Sequence, residues 1–209
     1  MANEEKDLLA LSVRDFASAT ADRTPTPGGG SVAGVVAAMA AALAEMSLKF
    51  TQGKKKFAEH EQYYSHLLPR LERARKMFEQ LVHDDVAAYT LYQQSTRLAD
   101  GPEKDQAVAI ATAAAIDVPR ELAKTALALL EDLESFAGRC SQMLISDLAA
   151  AGALAAACVR LCDYNVRVNT PHLSDRRAAV EINQASREDV RRASRMLEML
   201  ELAIAGIMP

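Results

Sequence analysis

The residues of this 209-residue chain whose types and spacing could do chemistry are two aspartates, two asparagines and a run of glycines. Asp85 comes first. On a helical wheel Leu71, Ala74, Phe78, Leu81, Val82, Tyr89 and Tyr92 share one stripe, Asp85 lies near its centre, and Asp84 sits about 100° round at its edge. Aspartate is almost never fully buried without a partner. A carboxylate on a core-facing stripe therefore either pairs with an arginine or lysine, or has a raised pKa and transfers protons. His83 points away from the stripe. Asp147 follows Ser146 at the start of an apolar stretch. There it stabilises a helix N-terminus or serves as a second reactive carboxylate. Five turns further on, Asn165 falls on the same face, with Asn169 one turn beyond. Two amides at the end of a greasy helix offer hydrogen bonds to a ligand or to a facing backbone.

The glycines stand in Pro25-Thr26-Pro27-Gly28-Gly29-Gly30-Ser31, which runs straight into the apolar segment 32–43. Three consecutive glycines carry an entropic cost and leave nothing to pack, so they mark a tight turn or a close approach. Ser31 is placed at the helix N-cap, which aims free N–H groups and the positive end of a helix dipole at the loop. That makes an anion or carbonyl site, or a plain helix entry. A phosphate-binding P-loop is excluded, because no Lys-Ser/Thr pair follows the last glycine, and no strand precedes it as a dinucleotide fingerprint needs.

Lys54, Lys55 and Lys56 end the same helical segment; they are a solvated charge run or a seat for an anionic ligand tail. Cys158 and Cys162, one turn apart, read as small core residues, and no metal site suggests itself. The four histidines assemble no nucleophile–base–acid set.

The elements that must position these residues are helices. Apolar residues make up 50% of the chain but aromatics only 5%, with alanine carrying the difference, which suits closely packed helices. Three cysteines argue against a disulfide scaffold and for a cytoplasmic location. A net charge of −4 with interspersed signs argues against nucleic acid as a partner. Residues 1–7 are acidic and polar, unlike a signal peptide. Segments 32–43 and 148–159 are uncharged but shorter than the roughly 20 residues a membrane span needs, so no membrane is expected. Periodicity predicts helices over 7–20, 32–50, 57–98 with a kink or break at Pro69, 103–136 interrupted or kinked at Pro119, 146–168, and from Ser174-Asp175 to 207. The expected fold is all-α, one domain over 1–209, a bundle of five to seven helices. One small bundle cannot cover segment 32–50 on all sides, so a homodimer or something larger is expected.

Taken together and in order, the glycine loop, Thr51-Gln-Gly-Lys-Lys-Lys-Phe, Asp84-Asp-Val-Ala-Ala-Tyr, Ser146-Asp-Leu and Asn165-Val-Arg-Val-Asn resemble the formiminotetrahydrofolate cyclodeaminase / methenyltetrahydrofolate cyclohydrolase family. The resemblance covers almost the whole chain. It implies a helical homodimer that takes a tetrahydrofolate derivative as substrate, with no cofactor and no metal. It implies Asp85 as the proton-transfer group, with Asp147 the second choice. Pro27, Gly28, Gly29, Gly30 and Ser31 then form the folate loop, and Lys54 and Lys55 lie near the folate's carboxylates. Asn165 and Asn169 line the same cleft. One departure stands out: Cys140-Ser141-Gln142-Met143 replaces the family's usual Gly-Asn-x-Asn before the Ser-Asp. That loss of amides motivates an alternative, a non-catalytic folate-binding or structural dimer.

Overall fold

The structure is a computed structural model that describes residues 7–207; the chain's first six residues lie outside it. Six α-helices account for the architecture: α1 Val13–Ala21, α2 Gly29–Thr51, α3 Glu61–Thr96, α4 Pro102–Ala137, α5 Ile145–Asn169 and α6 Arg176–Ala205. No strand occurs among the described residues. The expected all-α bundle is what is observed.

Helix boundaries follow local chemistry. The first expected helix is two pieces, a 3-10 turn at Leu8–Ala10 and then α1, because Ser12 caps α1 through the Asp15 N–H. The second begins inside the glycines, so the N-cap is Gly28 and not Ser31. A 3-10 turn, Lys55–His60, precedes α3. Pro69 and Pro119 do not end their helices; α3 and α4 each run on through 36 residues. Packing of their apolar faces outweighs the missing hydrogen bond at each proline. Asp175 caps α6 by accepting from the N–H groups of Arg177 and Ala178.

Helices α2 to α5 alternate in direction and close a four-helix ring in which α2 contacts α3 and α5, and α4 contacts α3 and α5. Contacts at both ends fix the direction. Gly29 lies beside Asn165 while Thr51 reaches Ser141, so α2 and α5 are antiparallel. The α2–α3 pair approaches closely at Gly34, where a Cβ would lie 2.6 Å from a Val82 methyl. Helix α6 covers the outer groove between α4 and α5. The core is alanine-rich along α2 (Ala33, Ala37, Ala40, Ala41, Ala44) and leucine-rich along α4 (Leu122, Leu127, Leu129, Leu130, Leu133). Small residues on one helix facing large ones on the next is how such interiors fill without voids. Glu45, nearly buried in α2, is held by Arg75 at 2.7 Å and Lys49 at 3.2 Å. Burying that carboxylate is tolerable because both partners are present.

By length and composition alone, α2 and the segment Gln142–His172 could cross a membrane, with 61% and 39% of their most apolar windows buried in the bundle. Val32, Val36, Met39, Leu43, Met46 and Phe50 fall on one line along α2, where Met39 is 51% and Phe50 61% exposed while Leu43 and Met46 are partly buried against the core.

Candidate active site

A cleft of about 280 Å³ opens where the N-terminus of α2, the C-terminal third of α3, the first half of α4 and the C-terminus of α5 converge. Its lining includes Gly28, Gly29, Gly30, Asp85, Asn165 and Asn169. Four separate stretches of sequence thus meet in one place.

Among the described residues, Asp85 is the only charged one lining the cleft. Its Oδ2 accepts a 2.7 Å hydrogen bond from the Ser31 hydroxyl, and the Ser31 backbone N–H also donates to the carboxylate. Asp85 therefore caps α2 from across the bundle, doing what Gly28 has no side chain to do. Among the described residues no cation lies within ion-pair distance of it, so the ion-pair alternative falls away. Burial raises its pKa, and the two Ser31 hydrogen bonds pull the other way without cancelling the rise.

The glycines are needed for space, not for backbone freedom. None of the three has positive φ; among the described residues only Gly53 and Gly101 do. A Cβ on Gly30 would instead overlap the Asp85 carboxylate, lying 2.6 Å from its Cγ. A Cβ on Gly29 would sit 3.7 Å from Asn165 Oδ1, in ordinary contact. Gly30 is therefore the indispensable member of the run. Pro27 is buried behind the loop after a cis Thr26–Pro27 peptide and does not line the cleft. Ser31 is fully buried and reaches the cleft only through Asp85.

Both asparagines point as their spacing requires. Asn165 Nδ2 donates to the Leu161 carbonyl at 3.0 Å, and Asn169 Nδ2 donates to the carbonyls of Ala115 and Asn165 at 3.2 and 2.9 Å. Asn169 thereby ties α5 to α4 across the cleft floor. Beneath lie Cys158 and Cys162, buried with their sulfurs 3.9 Å apart. The Cys162 thiol is pushed well above its usual range by Cys158, by burial and by the Asp85 charge, so it stays protonated.

Tyr89 and Tyr92, read from the sequence as core, belong to the cleft wall with Ala115, Val118 and Val168. Their signal was available: two tyrosines at the polar end of an otherwise aliphatic stripe have hydroxyls that need partners. Tyr89 finds one in Gln93 Nε2, at 3.0 Å.

Lys54, Lys55 and Asp147 are not brought to this cleft within one protomer. They lie at the opposite end of the α2–α5 pair, roughly 30 Å away at 1.5 Å per helical residue. Lys54 Nζ donates to Ser141 Oγ at 3.0 Å, the Ser141 N–H donates to Thr51 Oγ1, and the Thr51 hydroxyl donates back to the Ser47 carbonyl. The Cys140 thiol in this knot is pushed up to about 11, chiefly by burial, with Lys54 lowering it and Asp147 raising it. The divergent segment Cys140–Met143 therefore abuts Lys54 and not Asp85.

The sequence profile of the formiminotransferase-cyclodeaminase family matches residues 12–188. The chain belongs to this family. It is 31% identical over 175 residues to a methenyltetrahydrofolate cyclohydrolase of Methylorubrum extorquens, an alignment covering 81% of this chain and 84% of that protein. It is also 31% identical over 176 residues to the formimidoyltransferase-cyclodeaminase of Mus musculus, where it spans only 32% of the longer protein. The solved structure of a formiminotetrahydrofolate cyclodeaminase from Thermotoga maritima superposes with a TM-score of 0.84 at 28% identity, covering 96% of this chain and 98% of that one. The fold, the glycine loop and the aspartate cleft are thus read in a chain of known family.

Proposed function

We propose that the cleft works on the bridge between N5 and N10 of a one-carbon tetrahydrofolate, hydrolysing 5,10-methenyltetrahydrofolate to 10-formyltetrahydrofolate. The observation that carries this reading is Asp85, a half-buried carboxylate with no cation, at the edge of an otherwise uncharged cleft. The cyclohydrolase relative, matched over most of its own length, supports it. Tyrosine and valine walls suit a flat heteroaromatic ring, and the two asparagine amides suit its ring donors and acceptors.

In this reaction water attacks the methenyl carbon, and Asp85 takes a proton as the C–O bond forms. The same carboxyl then delivers a proton to N5 as the carbon–N5 bond breaks. The added hydroxyl gives up its proton to solvent as it becomes the formyl carbonyl, so one proton is released overall. A carboxyl with a raised pKa suits both transfers, because general catalysis is strongest when the group's pKa approaches the working pH. A second reading, closure of N10 onto a formimino carbon with loss of ammonia, uses the same carboxyl to protonate the leaving nitrogen. Its support is the structural likeness to the Thermotoga cyclodeaminase. Loss of methenyltetrahydrofolate absorbance, followed with and without protein, tests the first reading. Release of ammonia from the formimino substrate tests the second. A protein inert on both would sink the enzyme reading and leave the binding alternative.

The working unit is inferred to be a homodimer built on the part-exposed apolar stripe of α2. Uncharged, regular and about 30 Å long, that stripe has the composition of an interface core. Sedimentation should show a dimer, and a stable monomer would contradict it.

A further inference from the structure

We propose that Tyr89 is a further catalytic residue: its phenol hydroxyl, held in donor orientation by Gln93, hydrogen-bonds the oxygen that the reaction adds to the one-carbon unit. The inference rests on the folate reading of the cleft and goes one group beyond the Asp85 chemistry.

It starts from a count of available hydrogens. As the added hydroxyl loses its proton, its oxygen gathers negative charge before the carbonyl forms. A donor aimed at that oxygen lowers the barrier. Asp85 cannot be that donor while it delivers its own proton to N5. Asn169 cannot either, because both hydrogens of its Nδ2 are committed, to the carbonyls of Ala115 and Asn165. Asn165 has given one of its two to the Leu161 carbonyl. The asparagines of α5 therefore offer the cleft mainly acceptors.

Tyr89 is arranged the other way. Gln93, half-buried one turn further along α3, donates from Nε2 to the Tyr89 oxygen at 3.0 Å. An amide N–H occupies a lone pair of the phenol and cannot receive its proton. The phenol hydrogen is left over, and among the described residues no side chain or carbonyl accepts it. Tyr89 lines the cleft and Gln93 does not, so the orienting group stands behind the donor. Tyr92 differs. Its ring lies against that of His172, with centroids 6.4 Å apart, and among the described residues no amide orients its hydroxyl.

The position of Tyr89 agrees with the role. Asp85 and Tyr89 are one turn apart on α3, a spacing that sets Cβ atoms about 5–6 Å from each other. A water whose proton Asp85 takes lies about 3 Å from the carboxylate, within the span of the two side chains. Carboxylate and phenol then bracket one oxygen, the first accepting its hydrogen and the second donating to it. Tyr89 makes and breaks no covalent bond and keeps its proton throughout.

Three single variants test this by turnover of 5,10-methenyltetrahydrofolate, read on the pH plateau above the acid limb. Tyr89→Phe keeps the ring and removes the hydroxyl, so kcat should fall by about 10²-fold with KM little changed. Gln93→Glu puts an acceptor where the amide donor was and turns the phenol hydrogen away from the cleft. Its kcat should fall by about tenfold or more. Gln93→Met removes the orienting donor without supplying an acceptor of that strength, and should cost only about two- to threefold. If Gln93 merely props the ring, both its variants lose the same bond; equal losses of kcat would overturn the inference. So would Tyr89→Phe with wild-type kcat, or with a rise in KM alone, which would mean that the hydroxyl holds the ground state equally well. A kcat loss found on Tyr92→Phe in place of Tyr89→Phe also overturns it. The Gln93 pair carries the test should Tyr89→Phe prove unstable. Wild-type protein inert on folates overturns the folate reading and this inference together. An active wild type with an unimpaired Tyr89→Phe overturns the inference alone.

Discussion

The two ends of the antiparallel α2–α5 pair make an instructive contrast. At one end α2 begins on glycines, and its Ser31 N–H and hydroxyl are served by Asp85 from a neighbouring helix. At the other, the last turn of α2 closes on its own hydroxyls, with Thr51 linking Ser47, Ser141 and Cys140 in one buried knot. The first end keeps open space around a carboxylate; the second fills its space with short polar side chains. The segment Cys140–Met143 lies at the second end, away from Asp85.

The sharpest way to break this contrast is at Gly30. A branched side chain there must displace the Asp85 carboxylate, so Gly30→Val should cut turnover by about 10³-fold or more while circular dichroism keeps its helical signal. Near-normal turnover would mean that Asp85 need not stand where it does. Gly29→Val should cost less, because its Cβ meets only Asn165 at ordinary contact distance.

Ser31→Ala gives a smaller effect of defined direction. Ser31 lowers the Asp85 pKa against the pull of burial, so its removal should raise that pKa further. Asp85 begins the reaction ionised, so the acid limb of the pH–rate profile should move to higher pH. Turnover on that limb should fall by about two- to tenfold, the equivalent of one hydrogen bond. An acid limb that stayed put would show that another group sets it.

At the other end the first expected change is in stability. Thr51→Val strands the Ser141 N–H in a buried position and should cost about 1–3 kcal/mol in urea unfolding. The pH–rate profile should not move; a shifted acid limb would mean that the two ends are coupled within one protomer.

The smallest effect is the pH dependence of stability contributed by Asp85. Its pKa is raised in the folded state. Its contribution is therefore fully present below the unfolded carboxylate pKa and is lost as pH rises through the folded value. Melting temperatures of wild type and Asp85→Asn, compared from pH 4 to 7, should show the wild type losing ground to the variant as pH rises. A wild type that gained ground would mean that the carboxylate is stabilised in its ionised form.

Much of this was legible in the sequence, for reasons that can be named. Asp85 was conspicuous because a charge on an apolar stripe violates periodicity, and Asn165 and Asn169 because helical spacing puts them on one face. The glycine run was legible as a close approach, but not what it approaches: Asp85 lies more than fifty residues away along the chain. The same distance hid the true N-cap, since Ser31 looks like a local cap until Asp85 is seen to accept its hydroxyl. Lys54 and Asp147 were grouped with the cleft because helix ends look alike in sequence, and only the antiparallel packing of α2 on α5 separates them. The prolines end neither helix for an energetic reason: two long apolar faces outweigh one lost hydrogen bond each.

The central claim is that Asp85 moves the proton, and one variant tests it most directly. With 5,10-methenyltetrahydrofolate as substrate, turnover of Asp85→Asn should fall by about 10²–10⁴-fold while substrate affinity changes little, since asparagine keeps the size and can still accept from Ser31. An Asp85→Asn protein that binds and turns over substrate like the wild type would contradict the account.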